Sequence, residues 1–549
     1  MRRLLGALAL VLAGCSNVAS DRMPLLDPMD TPESRVGERL FRETRFSQLF
    51  FAESAGDVNA RVSGDPVLER LPHAGGTRSN PFAGQTMACA SCHMVDDATR
   101  VMREGGGSRA YADFAPRTLI PVRSDGSLVT TRNTPTLVGM AETRSVPELF
   151  HFDGEFATLE DLIIGGWTGR NFGWAPAEQA TAKAHLAEVL RQDDGRGAIA
   201  KLFDGTAYAP LLKGEDPTLP EGYRISADLR VDVATADNDT IARKAAALVA
   251  IYLRSLQFAK DAQGNFSGSP YDEFLMMNDL PRAPDAGESD ADYADRLAWA
   301  VAQLARPKWV SGEFELHSHD YAFGPTELEG LRAFLARRRD PSPSSPGFRS
   351  VGNCVACHAP PHFTDFKFHN TGETQDEYDS LHGAGAFVAL AIPGQAERLA
   401  DPERFLPASA AHPSAQAPFR APPSAGRPGR TDLGLWNVMF NPDYPAPQAA
   451  LRAIVCETDG TCDAETVLPR TIGLFKTPGL RDLGHSDPFL HSGRKRTIEE
   501  VLRFYVKQAE HARAGAARNA DPEIERIEIE SRDLKSLAAF LHALDEDYE

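Results

Sequence analysis

"CASCH" occupies residues 89–93, and the same device returns as "CVACH" at residues 354–358. In C-x-x-C-H the two thiols are spaced to add to the two vinyl groups of a haem, and the histidine that follows is placed to ligate its iron. A single pentad competes with a redox pair or a zinc site as an explanation. Two in one exported chain read as two covalently bound haem c groups. Cys89, Cys92 and His93 would hold the first, and Cys354, Cys357 and His358 the second.

Export is read from the N-terminus. Arg2 and Arg3 precede an apolar run over residues 4–12, the layout of a secretory signal and too short to span a bilayer. The run ends in "LAGCS" (12–16), which resembles a bacterial lipobox. Residues 1–20 are therefore expected to be a lipoprotein signal and lipidated N-terminus, with a lipid anchor to the membrane through Cys15. Ser16 favours the outer membrane, and the body of the chain is expected in the periplasm. In that oxidising compartment Cys456 and Cys462, flanking the turn in "CETDGTC", are expected to pair, which accounts for all seven cysteines.

With 549 residues the chain exceeds one core and fits two or three domains. A net charge of −19, from 58 basic and 77 acidic residues, argues against a nucleic-acid partner and is compatible with docking of a basic protein. Helical periodicity runs through "VGERLFRETRFS" (36–47), "DTIARKAAALVAIYLRSLQF" (239–258), "PTELEGLRAFLARR" (325–338) and "DLKSLAAFLHAL" (533–544), with Thr326 and Glu329 spaced as a capping box. The expected fold is mainly α: two tandem cytochrome-c-like haem domains, residues 21–320 and 321–549, with long loop insertions.

The stretches "RNTPT" (132–136), "FDGEFATLE" (152–160), "SPYDEFL" (269–275), "FKTPGLRD" (475–482) and "PFLHSGRKRTIEE" (488–500) occur in the order found in one family. By these motifs the chain resembles the bacterial di-haem cytochrome c peroxidases and their relative MauG. The resemblance omits residues 175–237 and 376–470; the second insertion, rich in Pro and Ala, is expected to be loop or linker with little packed core.

The resemblance implies a set of roles. Family members block the first haem with a distal histidine soon after the motif, but no histidine lies between His93 and His151. The first haem is thus expected to be open, the alternative being a cap by Met94 or Met102. For the second haem, the family's distal position, fourteen after the histidine matching His491, is Tyr505. An oxygen ligand there favours oxidised iron, whereas the methionine of conventional members raises the potential. Phe152 stands where the family has a tryptophan relay between the haems. Asn133 and the carbonyls of Ser486 and Pro488 match a calcium site. Leu162 and Phe172 replace the family's distal Gln and Glu, which leaves Arg170 or Asn171 to polarise the O–O bond and Glu155, Glu160 or Glu178 as candidate bases.

The function this implies is a MauG-like peroxidase or oxidase. It would react with hydrogen peroxide at the first haem, use the second as electron store or relay, and oxidise a redox protein or small donor. The alternatives are a conventional cytochrome c peroxidase fed by a small cytochrome or cupredoxin, a more distant rubber-oxygenase-like dioxygenase, and a non-catalytic electron-transfer lipoprotein. Oligomeric state is left open. If the motif assignment is right, replacing His93 or His358 removes the absorption spectrum of the corresponding haem; an unchanged spectrum would sink it.

Overall fold

The computed structural model describes residues 30–68, 85–95, 102–103, 106–107, 111–113, 119–140, 142, 144, 146–314, 317–337, 350–457 and 460–547. Cys15 and the signal-like segment lie outside the described residues, as do the side chains of Met94 and Met102. The architecture is mainly α, and among the described residues the strands form two-stranded pairs. No helix among the described residues is long and apolar enough to cross a membrane.

The first packed unit is built on the helix Asn238–Ser255, started by the Asp237 side chain accepting from the Thr240 amide. Ile241, Ala242, Ala245, Leu248, Val249 and Tyr252 form its buried face. Helix Pro32–Phe41, capped by Thr31, crosses it at Gly37. A Cβ at Gly37 would sit 2.1 Å from the Leu248 carbonyl oxygen, so only glycine permits this approach. Helices Leu159–Trp167 and Gln179–Gln192 complete the core. The expected insertion at 175–237 thus contributes Leu186, Tyr208, Leu211 and Tyr223 to it.

Under this core lies a buried charge cluster. Asp193 accepts from Arg39 Nη2 at 2.9 Å, Arg45 Nη1 at 2.9 Å and the Tyr208 amide at 3.0 Å, while Glu43 pairs with Arg45 at 2.7 Å. Burial works against the Glu43 charge, yet Arg45 brings its pKa down to about 2.

The second unit packs helix Pro325–Leu335 against Leu534–His542, with Gly330 admitting the Ser536 carbonyl as Gly37 admits that of Leu248. The capping box expected from Thr326 and Glu329 is built two residues earlier: the Glu327 carboxylate accepts from the Gly324 amide at 2.7 Å, because Pro325 occupies the first helical position. Helices Pro270–Met277 and Asp290–Gln303 also bury their apolar faces in this core, so the second unit begins before the expected division at residue 320.

The 376–470 insertion departs most from expectation. Phe405, Phe419, Trp436, Leu433, Leu435 and Met439 form a third core with Leu149 and Phe368. Buried Arg398 donates to the carbonyls of Trp436 and Met439. The Pro/Ala-rich stretch supplies turns, and the aromatic residues around it supply the burial that its composition concealed. Cys456 and Cys462 are disulfide-bonded, as expected.

Removing one partner of a buried ion pair strands the other. Asp193→Ala should therefore destabilise the first unit by about 3–5 kcal/mol, read as a lower urea midpoint of its transition; a loss below about 1 kcal/mol would mean that the cluster behaves like an exposed one.

Candidate functional site

Each pentad begins as a single 3-10 turn. The Cys92 amide donates to the Cys89 carbonyl at 3.1 Å, and the Cys357 amide to that of Cys354 at 3.2 Å. Such a turn sets the paired thiols close together on one side. Both open onto one cavity of about 1140 Å³ that also reaches Phe152, Asn133 and Tyr505. Its volume exceeds the ~300–1,000 Å³ of an ordinary small-ligand pocket, as two large groups would require.

The second motif fits a haem in detail. The His358 Nδ1 lies 2.9 Å from the Phe363 carbonyl oxygen, which can only accept, so Nδ1 carries the proton and Nε2 keeps its lone pair for a metal. Burial lowers the His358 pKa, which keeps the ring neutral as a ligand must be. The Cys354 thiol is pushed up to about 12 by burial and by Cys357 beside it. Cys89 reaches about 12 for the same reasons, with Cys92 as its neighbour. These are apolar surroundings suited to thiols or thioethers.

Tyr505 lies on helix Ile498–Arg513, started by the Thr497 side chain accepting from the Glu500 amide. Its hydroxyl is raised above its ordinary range by burial first, then by Cys357 and Cys354, which brings it to the second motif. The sequence count from His491 thus lands on a side chain at the expected end of the cavity.

At the first motif, Cys89, Cys92 and His93 line the cavity wall along with Arg170 and Asn171. The guanidinium of Arg170 is largely engaged: Nε and Nη2 pair with Asp125 at 2.7 and 2.9 Å. Its Nη1 is buried without a hydrogen-bond partner among the described residues. Phe152 lines the cavity, and its carbonyl accepts from the Lys476 amide at 2.7 Å.

Of the candidate bases, Glu160 pairs with Arg254 at 3.4 Å, and Glu178 with Arg123 at 2.7 Å; neither lines the cavity. Glu155 does, in company that the sequence did not announce. Its Oε2 is 3.1 Å from His151 Nδ1 and 2.5 Å from Arg420 Nη2. Burial opposes its charge, but Arg420 and then His151 hold the carboxyl well below the usual range. Arg420 also donates to the Tyr444 hydroxyl at 3.0 Å. Both Arg420 and Tyr444 come from the 376–470 insertion, so that insertion forms part of the cavity wall. The single signal in sequence was one arginine inside "APFRAPP", residues 417–423.

Asn133 and Pro488 meet, as the calcium expectation required, and Ser486 lines the same cavity. The Asn133 amide nitrogen, however, donates to the Pro488 and Leu490 carbonyls, and its Oδ1 accepts from the Thr134 amide at 3.0 Å. In this arrangement the side chain serves as a hydrogen-bonded tie between the segments.

No family model matches the chain. Two cytochrome-c peroxidases of Denitromonas iodatirespirans are similar in part. IdrP1 is 32% identical over 80 residues, which is 15% of this chain and 20% of the relative. IdrP2 is 24% identical over 201 residues, 36% of this chain and 37% of the relative. The chain thus matches well under half the length of either. Among solved structures, a MauG-like protein associated with microbial copper homeostasis is 16% identical, with 96% of this chain and 92% of that one covered at a TM-score of 0.43. The diheme peroxidase BthA from Burkholderia thailandensis is 16% identical, with 95% and 87% covered at a TM-score of 0.39. The family that this chain resembles is that of the di-haem cytochrome c peroxidases and MauG.

Proposed function

We propose that this chain is a MauG-like di-haem peroxidase or oxidase that faces the periplasm, a location supported by the Cys456–Cys462 disulfide. The observation that carries the reading is the single cavity joining both pentads, with Tyr505 at one end and a polar cluster on its wall. Haem held by Cys89, Cys92 and His93 would supply redox iron for peroxide cleavage, and haem held by Cys354, Cys357, His358 and Tyr505 a second redox centre.

The chain's own contribution is proton handling. Glu155, kept ionised by Arg420, can only accept from His151 Nδ1. That fixes the tautomer and leaves Nε2 of a cavity-lining imidazole able to take a proton from bound peroxide and return it to the leaving oxygen. Arg170 Nη1, buried without a hydrogen-bond partner among the described residues, would be a donor for the same oxygen. Phe152 offers packing where a tryptophan would offer an oxidisable ring.

Stoichiometric peroxide added to the diferric protein without reductant should bleach both ferric electron paramagnetic resonance signals. A response only after one haem is reduced would favour the conventional, donor-fed peroxidase, and none even then would leave electron transfer. His151→Ala should slow the response about 10²–10⁴-fold with the resting spectrum retained; an unchanged rate would remove His151 from the proton path. Tyr505→Met should raise the potential of the second haem in a redox titration, and no change would separate Tyr505 from that iron.

A further inference from the structure

A second cluster of metal-ligating side chains lies outside the cavity lining, where three segments meet. The first is the hairpin Val310–Glu313 and Asp320–Phe323, whose connection carries "HSH", residues 317–319. The second is the end of helix Leu534–His542 with Asp545 just beyond it. The third is the turn Leu483–His485.

The donors converge on one oxygen. Asp545 is fully buried; its Oδ1 accepts from the Gly484 amide at 3.0 Å, and its Oδ2 lies 2.9 Å from His319 Nε2 and 3.4 Å from His542 Nδ1. His317 approaches from the other side. Its Nε2 is 3.2 Å from both Asp482 Oδ1 and the Glu546 carbonyl oxygen, which places its proton there and leaves Nδ1 as the lone-pair nitrogen. That Nδ1 and Asp545 Oδ2 overhang the same glycine: a Cβ at Gly484 would fall 2.6 Å from the first and 2.7 Å from the second. One ligand atom from each of His317, His319 and Asp545 lies within 4.8 Å of the others.

A set of separate His–Asp latches would spread three imidazoles over several acceptors. Here two imidazoles address the same carboxylate oxygen and the third shares its space, with ring centroids 5.2 Å apart for His317 and His319 and 4.9 Å for His319 and His542. Protonating neighbouring rings would set like charges side by side. A single divalent ion satisfies all three nitrogens at once. Zn–N bonds of about 2.0–2.1 Å in a tetrahedron put ligand atoms about 3.3 Å apart, close to the 2.9 and 3.4 Å between Asp545 Oδ2 and the facing nitrogens of His319 and His542. The Asp482 carboxylate behind His317 repeats the carboxylate–histidine–metal arrangement that orients such ligands.

We propose that His317, His319, His542 and Asp545 form a binding site for a divalent first-row metal ion, zinc by its donor set. Four protein ligands make a closed, structural site. It would clamp the hairpin and the end of the last helix to the turn that leads to Ser486 and Pro488. The site stands independently of the haem chemistry.

The test is a calorimetric titration of zinc chloride into untagged, haem-loaded, full-length protein after dialysis against a chelator. One zinc per chain at sub-micromolar Kd is expected, with a zinc-edge absorption spectrum showing four N/O ligands and imidazole outer shells. His319→Ala with His542→Ala should abolish that uptake. These partly exposed positions keep the haem spectrum as a check on folding. Gly484→Ala should block the site, and Asp482→Asn should weaken it about 10- to 100-fold. No saturable uptake by the unaltered chain, or equal uptake by the double variant, overturns the proposal.

Discussion

Two buried arginines hold the cavity wall together. Arg132, from "RNTPT", sits between Asp153 at 2.8 Å and Asp432 at 2.6 Å; Arg420 sits between Asp153 at 3.1 Å and Glu155 at 2.5 Å. Two guanidinium groups thus serve three carboxylates drawn from the first unit and the insertion. Burial alone would favour neutral arginine, but the flanking carboxylates keep both charged, with their pKa values raised. At an effective dielectric near 20, each contact at about 4 Å gives ~4 kcal/mol, and the closer pairs here give more. None of these groups can be withdrawn without leaving a charge in a dry interior. The insertion is therefore committed to the first unit through these paired charges.

The same pairing governs the chemistry. Arg420 settles the charge of Glu155, Glu155 settles the tautomer of His151, and His151 presents its remaining nitrogen on the cavity side. On the proposed mechanism, a structural requirement and a catalytic one would meet in a single guanidinium. This also explains why Glu155, although a carboxyl group in a buried place, is poorly suited to acting as a neutral acid: the field of Arg420 overrides the burial.

Local signals were legible in the sequence, and long-range ones were not. The pentads, the disulfide and the helix Asn238–Ser255 follow from spacing of a few residues, and the structure keeps them within a residue or two. Tyr505, counted from His491, lies on the helix that Thr497 starts and lines the cavity near Cys354 and Cys357. The insertion was misread because Pro and Ala dominate its middle while its core residues, Phe405, Phe419 and Trp436, are widely spaced and meet only on folding. Arg420 lies hundreds of residues from Glu155, and no periodicity links them. Nor did "HSH" stand out, since its partners lie at the far end of the chain.

One pentad sequence used twice yields two unlike ends because the opposing walls come from different sources. Opposite Cys354 and Cys357 stands a helix of the same core, which offers a phenol in a largely apolar setting. Elsewhere on the cavity wall, the loop after Phe150 and the insertion bring His151, Glu155 and Arg420. Between them the contents are aromatic: Phe475 stacks on His491 at 3.6 Å, Arg132 lies 5.5 Å above the Phe475 ring, and Phe152 is tied to the strand Phe475–Lys476 through the Lys476 amide. The Lys476 amine is brought down to about 7 by burial and then by Arg144. This part of the wall is aromatic and held by hydrogen bonds and ion pairs across units. Phe152, where the resembled family has a tryptophan, lines this cavity. What distinguishes the ends is then the ligand and proton groups each wall supplies.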